Sequence, residues 1–187
     1  MQNKLLLFCG PSGSGKTTIV HHLLKNNSRL QFSVSATTRA RRANEKDGVD
    51  YYFISVDDFI SRIQKGEFVE WEEVYPNGFY GTLKSEIERI SNENKVVVFD
   101  VDVVGGLNIK SQYGDRLLAV FVEPPSVDAL RDRLRSRSTE SDESLEVRVN
   151  KAAHEMTFAD KFDKVIINDD LNKALAEAQR IVDTFLG

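Results

Sequence analysis

Three observations predict an α/β protein with a central parallel sheet between helical layers. Short apolar runs at residues 4–9, 96–101, 117–122 and 164–167 alternate with longer segments of helical spacing, which is the order of βαβ units. The run 96–101 is β-branched and apolar apart from Phe99 and Asp100, with four consecutive apolar residues, 96–99, as in strands buried on both faces. A glycine-rich turn, residues 10–17, stands between the first strand and the first helix, where such folds grip phosphate.

Residues 4–9 read as the first strand and 16–26 as the first helix. An apolar group at 32–34 leads into a polar, arginine-rich stretch, 37–50, which has neither hydrophobic period and reads as loop. A strand at 51–54 and a helix at 56–65 follow. Residues 68–74 and 79–82 are strands about the Pro76-Asn77-Gly78 turn, and 83–92 has helical spacing. This middle section is a βαββ-like insert. After the strand at 117–122, Pro124-Pro125 ends the run, Ser126 caps a helix through about residue 136, and 141–158 continues as a second, polar helical region. The last strand, 164–167, leads to an amphipathic helix, 171–186, capped by Asp169 or Asp170. Leu171, Leu175, Ala178, Ile181, Val182 and Phe185 fall on its apolar face.

The 187 residues suit one domain. Its expected parts are a core (1–34, 83–125 and 160–187), an insert (35–82) and a helical segment (about 126–159). Apolar residues at 41%, charged residues at 29% and a net charge of −4 describe a globular chain rather than a disordered one. The acidic balance argues against nucleic acid as a partner. No run could span a bilayer, and nothing points to an obligate protein partner. Cys9 is the only cysteine, which excludes an intrachain disulfide and favours a reducing, cytoplasmic setting. His21, His22 and His154 have no metal-ligand spacing.

Gly10-Pro11-Ser12-Gly13-Ser14-Gly15-Lys16-Thr17 is a full G-x-x-x-x-G-K-[ST] match in the strand–turn–helix context that it requires. Glycines let consecutive N–H groups converge on an anion, and the helix N-terminus adds partial positive charge. Lys16 would reach the β- and γ-phosphates of ATP and the Thr17 hydroxyl would ligate Mg²⁺. Asp100 stands at the carboxyl end of the four apolar residues 96–99 and is a second candidate for Mg²⁺. A phosphate loop alone does not choose among ATPases, GTPases, motors and small-molecule kinases.

Four further blocks carry a resemblance. They are Phe32-Ser33-Val34-Ser35-Ala36-Thr37-Thr38-Arg39-Ala40-Arg41-Arg42 with Gly48-Val49-Asp50-Tyr51-Tyr52-Phe53; Gly66-Glu67-Phe68-Val69-Glu70-Trp71 through Phe79-Tyr80-Gly81-Thr82; Asp100-Val101-Asp102 with the arginine-rich segment 131–148; and Val165-Ile166-Ile167-Asn168-Asp169-Asp170-Leu171. With the phosphate loop they resemble the guanylate kinase family over essentially the whole chain. The resemblance implies ATP-dependent phosphorylation of GMP, with dGMP as a second acceptor, in purine nucleotide metabolism. It makes the insert the nucleoside-monophosphate-binding sub-domain and the arginine-rich segment the lid over ATP.

It also implies roles for residues. Arg39, Arg42, Tyr51 and Tyr80 hold the GMP phosphate, a task suited to guanidinium forks and phenol hydroxyls. On the residues alone, Arg39, Arg41 and Arg42 could equally be a solvated loop or a nucleic-acid patch. Glu70 and Asp102 accept from the N1 and N2 donors of guanine, Ser35 serves O6 and Thr82 assists; Asp100 and Arg148 complete the GMP set. Residues 10–17, Thr18, Arg133, Arg137 and Asn168 form the ATP set. Lys16, Arg39, Arg137 and Arg148 are the catalytic group, stabilising charge with no general base. Arg131 and Arg135 project elsewhere and read as solvated charges. Ser138 and Val104 depart from the family's usual glycine and glutamine. The rival implications are a non-catalytic guanylate-kinase-like binding module and a ribose-bisphosphate kinase on the same scaffold.

Overall fold

The computed structural model describes residues 4–137 and 142–187, with the side chains of 137 and 142–144 excepted. Strand β1 (Leu5–Cys9) is the hub of a five-stranded sheet ordered β2 (Leu30–Phe32), β7 (Val96–Asp100), β1, β8 (Leu117–Glu123) and β9 (Lys164–Ile167). Every pairing in it is parallel. The side-chain alternation of β1 builds two cores at once. Leu6 and Phe8 pack with Ile19, Val20 and Leu23 of α1 (Lys16–Asn26) and with Ala178 and Ile181 of α7 (Leu171–Leu186). On the opposite face Leu5, Leu7 and Cys9 pack with Ile87 and Ile90 of α3 (Lys84–Asn92) and Ile109 of α4 (Val103–Tyr113). Helices therefore cover both faces, as the buried strands require.

The second sheet is ordered β4 (Tyr52–Phe53), β3 (Ala36–Thr37), β6 (Gly78–Leu83) and β5 (Phe68–Tyr75). Helix α2 (Val56–Gln64) packs on it through Phe59, whose ring stacks on Phe68 and Phe79. The insert gains one strand over the βαββ reading: Ala36 and Thr37, within the block expected to lead into loop, pair with Tyr52–Phe53 and with Gly81–Tyr80. Two residues are too few to show a period. Strand β2 also lies two residues before the apolar group at 32–34.

Helix α4 was absent from the sequence reading. Its start, Val103-Val104-Gly105-Gly106, carries two glycines that weaken a helical signal, but both sit close against neighbouring side chains. A Cβ on Gly105 would lie 2.9 Å from Glu70 Oε2, and one on Gly106 3.3 Å from Cys9 Cβ. Val104 turns away, 57% exposed, so its departure does not touch the pocket wall.

Helices α5 (Val127–Arg137) and α6 (Asp142–Met156) pair through Leu130, Leu134, Leu145 and Val149. Ser126 and Asp170 cap α5 and α7 by accepting from the Ala129 and Lys173 N–H groups. In α7 the buried residues are Ala174, Ala178, Ile181 and Val182; Leu171, expected on the apolar face, is 44% exposed at the first turn. Ser138 and the expected start of the second helix at residue 141 lie outside the described residues. Among the described residues no helix is long and apolar enough to cross a membrane.

Candidate active site

Between β1 and α1 the chain folds back on itself, and two of its glycines are sterically required. A Cβ on Gly10 would lie 2.2 Å from the Val122 carbonyl oxygen, and one on Gly15 2.2 Å from Asn168 Nδ2. That Asn168 amide donates to the Ser14 carbonyl at 2.7 Å, and the Ser14 N–H donates to the Pro11 carbonyl. The end of β9 thus braces the loop from behind. Helix α1 starts with no side-chain cap and no acid in its first turn. Its leading N–H groups and its dipole are left to an external anion. Ser14 Oγ is also buried with no hydrogen-bond partner among the described residues.

Strand β7 delivers Asp100 to the start of this helix. Thr17 donates its hydroxyl hydrogen to Asp100 Oδ2 at 2.6 Å, and Lys16 Nζ lies 3.8 Å from Oδ1. Two adjacent oxygen donors of this kind fit Mg²⁺. Among the described residues no group of three or more His, Cys, Asp or Glu could hold a metal, so the fit needs phosphate and water oxygens to complete the shell.

Two clefts meet the loop, and a third adjoins them at Asp100 and Asp102. The first, about 290 Å³, is lined by Gly13, Gly15, Thr18, Arg133 and Asn168; Arg133 Nη2 donates to the Asn168 carbonyl at 2.7 Å. The second, about 280 Å³, lies between the loop and α6, where Arg148 Nη2 donates to Ser12 Oγ at 3.0 Å. The third, about 260 Å³, separates β7 from the second sheet and is lined by Ser35, Tyr51, Glu70, Tyr80, Asp100 and Asp102. Asp102 borders both the second and the third.

In the third cleft Glu70 Oε1 accepts from the Thr82 hydroxyl at 2.6 Å. Burial pushes the Glu70 carboxyl upward in pKa, opposed by the Thr82 bond. Thr82 is buried and orients Glu70 rather than forming the wall. Asp102 caps α4, its Oδ1 accepting from the Gly105 N–H at 2.8 Å. At the other end the Arg39 guanidinium lies 5.0 Å over the Tyr51 ring and is gripped by both Glu45 oxygens at 2.5 and 2.7 Å. Arg39 beside it holds the Glu45 carboxyl down to about 2.

The structure brings together nearly all the expected residues, with exceptions. Arg42 is exposed and outside the third cleft; its backbone N–H, not its side chain, engages Glu45 at 2.8 Å. Arg131 is not a solvated charge, since it bridges α5 to Glu146 of α6 at 3.0 Å. Arg135 is exposed. The Arg137 side chain lies outside the described residues.

Sequence reasoning missed Glu45 and Glu72. Glu72 lines the third cleft, and a hydrogen bond with Asp102, before burial and the Asp102 charge, pushes its carboxyl up to about 7. Period two along β5 puts Glu72 on the same face as Glu70, a signal that was available.

A family model described as guanylate kinase matches residues 2–185. The chain belongs to the guanylate kinase family. A guanylate kinase of Bacteroides fragilis is 53% identical over 184 residues, covering 98% of this chain and 90% of that one. One of Thermotoga maritima is 42% identical, covering 97% and 87%. The crystal structure of guanylate kinase from Anaplasma phagocytophilum superposes with a TM-score of 0.77 at 27% identity, over 97% of this chain and 85% of that one. The guanylate kinase family accounts for the parallel sheet, the phosphate loop and the second sheet together. Neither the binding-module nor the ribose-bisphosphate alternative is favoured by relatives of this name at this coverage.

Proposed function

We propose that the chain transfers the γ-phosphoryl group of ATP to a phosphate oxygen of GMP, releasing ADP and GDP, and that it also accepts dGMP. The observation that carries this reading is the position of Asp100: it contacts Lys16 and Thr17 at the phosphate loop and lines the third cleft beside Glu70 and Asp102. Donor and acceptor phosphates would meet there.

In this reading the loop N–H groups and Lys16 hold the β- and γ-phosphates, Arg133 and Asn168 border the nucleoside end of ATP, and Arg148 faces the group in transit; the family resemblance assigns Arg137 to the same charge. Arg39, Tyr51 and Tyr80 hold the GMP phosphate, which must displace Glu45 from Arg39. Glu70 and Asp102 accept from guanine N1–H and N2–H₂, while Ser35 donates to O6. Bound at Thr17 and Asp100, Mg²⁺ would offset charge on the phosphate oxygens. Closure of the insert, 35–82, and the lid, about 126–159, excludes water, and no general base is required. With Cys9 as the only cysteine of the sequence, a reducing, cytoplasmic setting is the one that this reading takes.

The test is ADP release measured with GMP, dGMP, AMP, CMP, UMP and ribose 1,5-bisphosphate, with Lys16→Ala as the inactive control. Turnover confined to GMP and dGMP supports the reading. Equal use of AMP, or ribose 1,5-bisphosphate as the best acceptor, overturns it.

A further inference from the structure

Two charged side chains in the second cleft, Lys151 and Glu155, have no part in the reading above. Arg148, Lys151, Ala152 and Glu155 all line that cleft, and their spacing of 0, 3, 4 and 7 puts them on one stripe of α6. Arg148 at one end of the stripe already touches the phosphate loop through Ser12. Lys151, one turn on, therefore faces the loop as well, in a cleft that it shares with Lys16.

Its present partner holds it weakly. Lys151 Nζ lies 3.7 Å from Glu155 Oε1, and the lysine side chain is 59% exposed while that of Glu155 is 13% exposed. The pair also runs lysine before glutamate, the poorer of the two i,i+4 orientations on a helix. Glu155 is half-buried near Asp102 and Lys16, so it is the more restrained member of the pair. The positive charge of Lys151 also bears on Glu72 of β5, which lines the third cleft.

We propose that Lys151 is a further phosphate-contacting cation of the transfer reaction, parked on Glu155 in this open arrangement and drawn onto the phosphoryl oxygens when α6 closes towards the loop. The inference rests on the ATP-to-GMP transfer proposed above. Glu155 is the positioning residue: it keeps the ammonium at the mouth of the cleft. A flexible point charge suits a group that moves during the reaction, because it can follow phosphate oxygens without the fixed fork of arginine.

The experiment compares Lys151→Met and Lys151→Arg with wild type, and uses Lys25→Met, an exposed change at the far end of α1, as the control for net charge. Two quantities are read: kcat and KM for each nucleotide, and the calorimetric affinity, in EDTA, for an adenosine–guanosine pentaphosphate that spans both sites. Lys151→Met is expected to lower kcat by about 10²-fold, the scale of one preorganised donor to transition-state charge, while KM for ATP and GMP stays near wild type. It should also weaken the pentaphosphate, and Lys151→Arg should restore most of both. Lys25→Met should alter neither.

Wild-type kcat and wild-type analogue affinity in Lys151→Met overturn the proposal. So does a lower kcat with unchanged analogue affinity and no recovery by arginine, which marks a packing role. If wild type itself does not phosphorylate GMP, the transfer reading fails instead, and the wild-type turnover in the same assay distinguishes that case.

Discussion

The Asn168 side-chain amide donates to the Ser14 carbonyl at 2.7 Å, so the last strand of the sheet holds the phosphate loop from behind. The same amide fills the space that a Cβ on Gly15 would need. Asn168 is 5% exposed, and its own carbonyl accepts from Arg133. A single residue therefore fixes the loop and orients one arginine above it.

Asn168→Ala should therefore cost both stability and ATP binding. Leaving a buried acceptor without its donor costs about 1–3 kcal/mol, and about 1 kcal/mol moves Tm by roughly 2–4 °C in a chain of this length. KM for ATP should rise while KM for GMP changes little. A thermal melt and steady-state kinetics check both; an unchanged KM for ATP would detach Asn168 from the loop's geometry.

Residue pattern and structure agree best where one physical cause acts alone. Helix α1 matches its expected bounds because the phosphate loop sets its start, and β9 and α7 match because strand, acidic cap and amphipathic period follow one another. Agreement fails where tertiary packing overrides local signal. The glycines of α4 weaken its local helical signal, yet they let the helix end approach Glu70, Asp102 and Cys9. Strand β3 exists only through its neighbours β4 and β6. In the site, Arg39 and Glu70 were legible from their blocks, whereas the Glu45 grip on Arg39 and the Glu72–Asp102 contact depend on how a loop and two strands come together.

The arginines of α5 and α6 separate by partner. Arg131 bridges to Glu146 and is one-third exposed, so Arg131→Ala should lower Tm slightly, by no more than about 1 kcal/mol in stability, with kcat near wild type. Arg148→Ala should depress kcat strongly, since a transition-state arginine is worth roughly 10³ to 10⁵ in rate in related phosphoryl transfers. Arg135→Ala, at an exposed site, should do neither. Similar small changes in kcat at all three positions would remove Arg148 from the transfer.

Glu72 makes stability depend on pH in a definite direction. Its carboxyl titrates at about 7 in the folded chain against 4.5 ordinarily, with the Asp102 hydrogen bond the largest cause; Lys151 opposes the rise and Glu70 adds to it. The folded state therefore holds a proton that the unfolded state has released between these values, so stability falls as pH rises from about 4.5 to 7. Glu72→Gln removes that loss. In melts of the unliganded protein from pH 5 to 8, the variant's Tm advantage over wild type should grow with pH. A constant gap would mean that Glu72 is ionised throughout.

Glu70→Gln tests the base pocket directly. In wild type the Thr82 hydroxyl takes one Glu70 oxygen at 2.6 Å, and the other carboxylate oxygen is left to accept from guanine. In the variant the same Thr82 bond holds the amide oxygen and turns the NH₂ group towards the guanine donors, so two donors face each other. Losing a hydrogen bond to a charged group costs about 1.5–3 kcal/mol, which is roughly 10- to 10²-fold in kcat/KM. KM for ATP should barely move, because the phosphate loop and the first cleft are untouched. Thr82→Ala should produce a smaller loss of the same kind, since Glu70 keeps its charge and loses only its orientation. The measurement is kcat/KM for GMP and AMP at saturating ATP. Wild type should reject AMP by about 10⁴ or more, as sites built around a substrate's hydrogen bonds do. An unaltered GMP value in Glu70→Gln would move guanine recognition away from β5 even if phosphoryl transfer itself were intact.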